Sequence, residues 1–137
     1  MTSPLNDVWI ALDHVQLAIP PRSEDTCREF YIKILGMTET EKPAKLAKRG
    51  GLWLRTANVE IHLGVDSNFR PARKAHPAIV VSDIITVANH LSANNIDIAG
   101  DENIPGRKRF YVHDNVENRI EIVQATEAEK SGGVARK

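Results

Sequence analysis

One order of structural signals runs along this chain twice, and that repetition constrains the fold more than any other feature. The first copy opens with "ALDHVQLAIP". There Val15, Leu17 and Ile19 share one strand face by period-two alternation, and His14, Gln16 and Ala18 share the other. "SEDTCREFYIKILG" follows as a helix, with Ser23 as its cap, Glu24 and Asp25 at its positive end, and Gly36 as its stop. Cys27, Phe30, Tyr31 and Ile34 form its apolar stripe. Three strands are expected next, over Thr38 to Lys45, Leu52 to Thr56 and Val59 to Val65. After the polar "DSNFRPARKA" the order returns. "AHPAIVV" reads as a strand and "SDIITVANHLSANN" as a helix stopped at Asn94 and Asn95. Three strands follow, near Asp97 to Asn103, Arg107 to His113 and Arg119 to Ala125.

A single β-α-β-β-β unit of about 60 residues buries too little surface to be secure alone. Its helix covers one face of its sheet and leaves the other open. Two such units can set their open faces around a common cavity, so the chain is expected to be an α+β protein. Its architecture is then two βαβββ modules forming a mixed β-sheet half-barrel. The predicted organisation is a lead over residues 1–9, a first module over 10–65, a linker over 66–75, a second module over 76–125 and a loose tail over 126–137.

The repeat also places the chemistry. His14 in "DHVQLAI" matches His76 in "AHPAIVV", and His62 in "EIHLGV" matches Glu121 in "RIEIVQ". Each stands opposite its strand's apolar row, on a face that should line the cavity. Three imidazoles and one carboxylate at two pairs of equivalent positions read as a metal site. The ion would be Zn, Ni, Co, Mn or Fe(II), and the lack of thiolates argues against a structural cysteine-type site. Taken one at a time, each His is better explained as an edge, surface or hydrogen-bonded core residue. The four together at symmetric positions are what point to metal.

Other side chains alternate onto the same faces. Trp53 and Arg55 oppose Leu52 and Leu54, while Arg109, Tyr111 and His113 oppose Phe110 and Val112. Trp53, Arg55 and Arg109 are candidate substrate contacts, an Arg being suited to clamp a carboxylate. Tyr111 and His113 are candidate proton-transfer groups. The alternative for Arg109 and His113 is a position at a strand end in water. His90 is expected to face solvent, and Arg70 to Lys74 to be a solvated linker.

Charge and composition exclude several classes. Lys plus Arg balances Asp plus Glu at 18 each, which offers nothing to a nucleic-acid or membrane-surface partner. No apolar run approaches the roughly 18 residues of a membrane span, and "MTSPLNDVW" lacks the features of a signal peptide. The single Cys27 rules out an internal disulfide, fits a cytoplasmic protein and is expected to be a small buried hydrophobe.

"LDHVQLAI", "FYIKILGM", "EIHLGV", "AHPAIVV" and "RFYVHDNVENRIEIV" together resemble the vicinal oxygen chelate superfamily. It includes glyoxalase I, extradiol dioxygenases, fosfomycin-resistance transferases, methylmalonyl-CoA epimerase and bleomycin-binding proteins. The likeness spans about residues 10–124. It implies that His14, His76 and Glu121 match ligands common to the metal-dependent members. Position 62 matches a fourth ligand that is usually Glu or Gln in glyoxalase I and the epimerases, so His62 departs from that pattern. The turn "HDNVENR" lacks the usual Pro and Gly and is expected to turn on its Asp and Asn residues.

The resemblance implies a metal-dependent enzyme acting on a small oxygenated substrate, of lyase or isomerase type, with His62 or Glu121 exchanging a proton. Two other readings are an Fe(II) extradiol-type dioxygenase and a metal-free binding protein of the bleomycin-resistance type. Modules in this superfamily pair within or across chains, so a homodimer is expected, each site drawing on one or both subunits.

Overall fold

The computed structural model describes residues 3–100 and 106–131. The first module runs β1 (Val15–Ile19), α1 (Glu24–Arg28), β2 (Thr38–Thr40), α2 (Ala44–Ala47), β3 (Leu52–Thr56) and β4 (Val59–Val65). The second runs β5 (Ala78–Val81), α3 (Ile84–Ala93), β6 (Ala99–Gly100), β7 (Arg109–His113) and β8 (Arg119–Gln124), followed by α4 (Glu127–Lys130). Each module closes its own four-stranded sheet, in the orders β1-β4-β3-β2 and β5-β8-β7-β6. In both, the first strand lies parallel to the last, and the remaining pairs are antiparallel.

Strand registers bear out the repeat. Gln16, His62 and Trp53 stand side by side across the first sheet, as Ala78, Glu121 and Tyr111 do across the second. His62 and Glu121 therefore occupy equivalent points. On the opposite faces, Leu52 pairs with Leu63, Leu54 with Ile61, and Phe110 with Ile122. These six residues are all buried, together with Cys27, Phe30 and Tyr31 from the first module's helix and Ile84 and Leu91 from α3. Burying that apolar surface is the main stabilising term.

Local chemistry corrects several expectations. The strand foreseen from Thr38 to Lys45 ends at Thr40, and Ala44–Ala47 is helical. Pro43 cannot donate to a ladder, but its carbonyl accepts from Leu46 and Ala47 as the first turn forms. Ser23 precedes the first helix without capping it, because its hydroxyl donates to the Pro20 carbonyl at 2.6 Å. The helix begins as α and continues as a π-helical turn over Glu29–Ile34. In the tail, Thr126 and Glu129 form a reciprocal capping box that orders α4, so residues 127–130 are not loose. The strand foreseen from Asp97 to Asn103 is described only at Ala99–Gly100, and its residues 101–103 lie outside the described residues.

Side chains join the modules. The Tyr31 hydroxyl donates to Asp114 Oδ2 at 2.6 Å, and Asn118 Nδ2 to the Ala18 carbonyl at 2.8 Å. His90, exposed as expected, reaches back to the Ile34 carbonyl at 2.7 Å. "HDNVENR" turns on Asp114, whose Oδ1 accepts from the Val116 and Asn118 amides. Among the described residues no helix is long and apolar enough to cross a membrane.

Candidate functional site

His14 lies just ahead of β1, His62 in mid-β4, His76 just ahead of β5 and Glu121 in mid-β8. The chain brings them together as two pairs, one on each sheet. On the first, the His14 and His62 rings stack 3.8 Å apart, 19° from parallel. On the second, His76 Nε2 lies 2.9 Å from Glu121 Oε1. Among the described residues, no group of three or more His, Cys, Asp or Glu is gathered tightly enough within one chain to hold a metal ion. Each module closes its own sheet, so its two donors meet locally, and bringing all four to one point needs a further packing step.

The two leading imidazoles are held alike. Asp13 Oδ2 accepts from His14 Nδ1 at 2.7 Å, and the Lys74 carbonyl accepts from His76 Nδ1 at 2.8 Å. Carboxylate and carbonyl only accept, so Nδ1 carries a proton in both rings; Nε2 is the atom each ring would offer an ion, and in His76 a proton bridging Nε2 to Glu121 would leave as the ion bound. A second group on the far nitrogen is the support that metal-bound histidines ordinarily have. His76 Nε2 and Glu121 Oε1 face each other at a separation that a shared proton or a divalent cation can bridge. Burial alone would raise the Glu121 carboxyl, but hydrogen bonds from His76 and Arg109 outweigh it and hold the group below its ordinary value. Two imidazoles supported at Nδ1 and one ionised carboxylate fit a divalent first-row metal.

The remaining candidates divide by sheet. Trp53 stacks on His62 with ring centroids 4.4 Å apart. Arg55 is held by Glu60, Nη2 to Oε1 at 2.6 Å. Arg109 Nη1 lies 3.0 Å from Glu121 Oε2 and 3.1 Å from the Tyr111 hydroxyl, so this arginine braces the site rather than standing at a strand end in water. The Tyr111 ring meets His76 edge-on at 5.2 Å, and the Arg119 guanidinium lies over it at 3.9 Å. His113 is exposed at the end of β7. A cavity of about 560 Å³ opens over the first sheet, lined by His14, Gln16, Trp53 and His62 and also by Lys42 and Arg49.

Sequence reasoning missed Asp13, Glu60, Arg119 and the α2 segment that brings Lys42 and Arg49 to the cavity. Glu60 was detectable: it stands two residues before His62, on the same strand face. Nothing local marked the others.

No protein-family model matches the sequence, and neither does any curated protein. Solved structures do. One is a glyoxalase/dioxygenase from Nostoc punctiforme, 22% identical with a TM-score of 0.67, covering 93% of this chain and 97% of that one. Another is the fosfomycin resistance protein FosX from Listeria monocytogenes, 14% identical with a TM-score of 0.67, covering 89% and 98%. At those identities they share the fold. A glyoxalase family protein from Bacillus anthracis is 42% identical with a TM-score of 0.83, covering 86% of this chain and 97% of that one. That identity, over nearly the whole of a protein with the same two-module fold, places this chain in the glyoxalase family of the vicinal oxygen chelate superfamily.

Proposed function

We propose that this protein is a metal-dependent glyoxalase-like enzyme of lyase or isomerase type, acting on a small oxygenated substrate as a homodimer. The observation that carries the reading is His76, supported at Nδ1 by a backbone carbonyl and aimed through Nε2 at the ionised Glu121. His14 repeats that support on the first sheet. His14, His76 and Glu121 hold the ion, with His62 at the fourth position. A divalent ion bound there supplies Lewis-acid stabilisation to charge developing on paired substrate oxygens. His62 or Glu121 exchanges the proton. Arg109 keeps the Glu121 carboxylate in place, and Tyr111 presents a hydroxyl beside it. Trp53 packs against the substrate, and Arg55 acts from the rim through Glu60. His113, at the outer end of β7, is the more remote proton carrier.

A second copy completes the site by setting its His76 and Glu121 against His14 and His62 of the first. The exposed apolar run ahead of His14 supports this: Trp9, Ile10 and Leu12 are 78%, 97% and 79% exposed, the kind of surface another chain covers. A cytoplasmic setting suits a protein whose one thiol, Cys27, is fully buried.

The test is metal content. Protein stripped with chelator and reloaded with zinc, nickel, cobalt, manganese or iron(II) should retain one ion per chain, and His76→Ala should lose it. Wild-type protein that stays metal-free after reloading, yet binds small molecules unaffected by chelator, would instead be a binding protein.

A further inference from the structure

The cavity over the first sheet holds two cations that its own acids do not use. The α2 segment brings Lys42, Leu46 and Arg49 to the space of about 560 Å³ that His14, Trp53 and His62 also line. Asp13 and Glu60 are the acids on the same walls, and both are engaged elsewhere. Asp13 Oδ2 accepts from His14 at 2.7 Å, while Glu60 accepts from Arg55 at 2.6 Å and lies 2.7 Å from His62 Nε2. Glu24, the carboxylate that feels the Lys42 charge, is held by the Gly51 amide at 2.8 Å and lines a different cavity. Among the described residues neither Lys42 nor Arg49 forms an ion pair. The segment that carries them is set by its backbone. It returns to β3 through Gly50 and Gly51, both in left-handed conformation, and Lys42 Nζ donates to the Gly50 carbonyl, tying its start to its end. A partly closed space lined by uncommitted positive charge concentrates anions.

We propose that Lys42 and Arg49 hold an anionic group of the substrate, a carboxylate or a phosphate, in the same cavity that His14 and His62 line. The small oxygenated substrate is then itself an anion. Arg49 supplies a planar fork that matches two oxygens of either group, and Lys42 supplies a compact ammonium. Trp53 and Leu46 offer apolar surface to the carbon skeleton. The inference rests on the metal site proposed above for the end of the substrate that chelates, whereas the anion contact itself needs no ion. A neutral substrate would gain nothing from either cation.

Three hydroxyketones that share one oxygen pair and differ in charge provide the test: neutral hydroxyacetone, the carboxylate 5-hydroxy-4-oxopentanoate and dihydroxyacetone phosphate. Each is titrated into ¹⁵N-labelled metal-free protein and followed at the Trp53 indole N–H, so that no ion attracts the anion. At least one anionic compound should bind about tenfold tighter than hydroxyacetone or better, and whichever does so names the group. Replacing both cations, Lys42→Gln with Arg49→Gln, should bring that compound down to the level of hydroxyacetone and leave hydroxyacetone itself unchanged. Lys45→Gln with Lys48→Gln removes two exposed lysines of the same segment that do not line the cavity, and should keep the preference. The proposal is overturned if neither anion binds tighter than hydroxyacetone, or if the preference survives loss of Lys42 and Arg49. It is equally overturned if that pair lowers hydroxyacetone binding as much, or if the Lys45 and Lys48 pair abolishes the preference, which would mark a diffuse field. One equivalent of zinc should then tighten all three compounds. A protein that binds no zinc or other divalent ion overturns the metal site, and the metal-free comparison still decides the anion contact.

Discussion

Gly51 shows how much a single position can demand. Its φ of +85° lies in the left-handed region, and a Cβ there would come within 2.1 Å of the Leu63 carbonyl oxygen. Its amide is also fixed, donating to Glu24 Oε2 at 2.8 Å. The obstacle is backbone of β4, one residue from His62, so it cannot swing aside. Gly51→Ala should therefore lower stability by about 1–3 kcal/mol, seen as a reduced urea midpoint with an unchanged slope. A variant as stable as wild type would mean that the β3–β4 register yields more easily than the geometry implies. Cys27 makes the contrasting case: burial, and next the charge of Asp114, push its thiol up to about 11, and its place in the core is a packing role.

At the scale of elements, the contact between the first module's helix and the β7–β8 turn holds the two halves together. Asp114 is 2% exposed, and its two oxygens take the Tyr31 hydroxyl, the Val116 and Asn118 amides and Asn118 Nδ2. Burial, then the neighbouring Asp114 charge, keeps the Tyr31 phenol well above its ordinary value, so it remains a donor. Tyr31→Phe keeps the ring and removes that donor from a buried carboxylate. The expected loss is about 1–2 kcal/mol of global stability, with the two modules still unfolding in one transition. Thermal unfolding followed by circular dichroism checks it. If the variant separates into two transitions, this bond does more than add to a cooperative core.

For the whole molecule, the question is which chain supplies each half of the site. If His14 and His62 of one copy meet His76 and Glu121 of another, two defective variants can rescue each other. Neither His14→Ala nor His76→Ala should hold the ion alone. Unfolded together and refolded as a mixture, they form heterodimers in which one of the two sites has every ligand. Metal retention should then return to about a quarter of the wild-type level for random pairing. No recovery in a mixture that demonstrably forms heterodimers would place each complete site within a single chain.

The division between what the sequence determines and what folding adds follows the range of the forces involved. Alternation with period two and apolar stripes at helical spacing are properties of neighbouring residues, so the repeated module, its core rows and the equivalence of His62 with Glu121 were all legible in the chain. Pro43 starts the turn of α2 where alternation foresaw more strand, a local effect that a pattern of alternation overlooks. The partners of the site were a different matter. That Asp13 and the Lys74 carbonyl hold two imidazoles by Nδ1 while Glu60 holds a third by Nε2 depends on side-chain directions. That His14 meets His62 and His76 meets Glu121 depends on the pairing of β1 with β4 and of β5 with β8, and how the two pairs lie relative to each other depends on contacts such as Tyr31 with Asp114 and Asn118 with Ala18. Periodicity says which residues share a face, and only tertiary packing decides what that face meets.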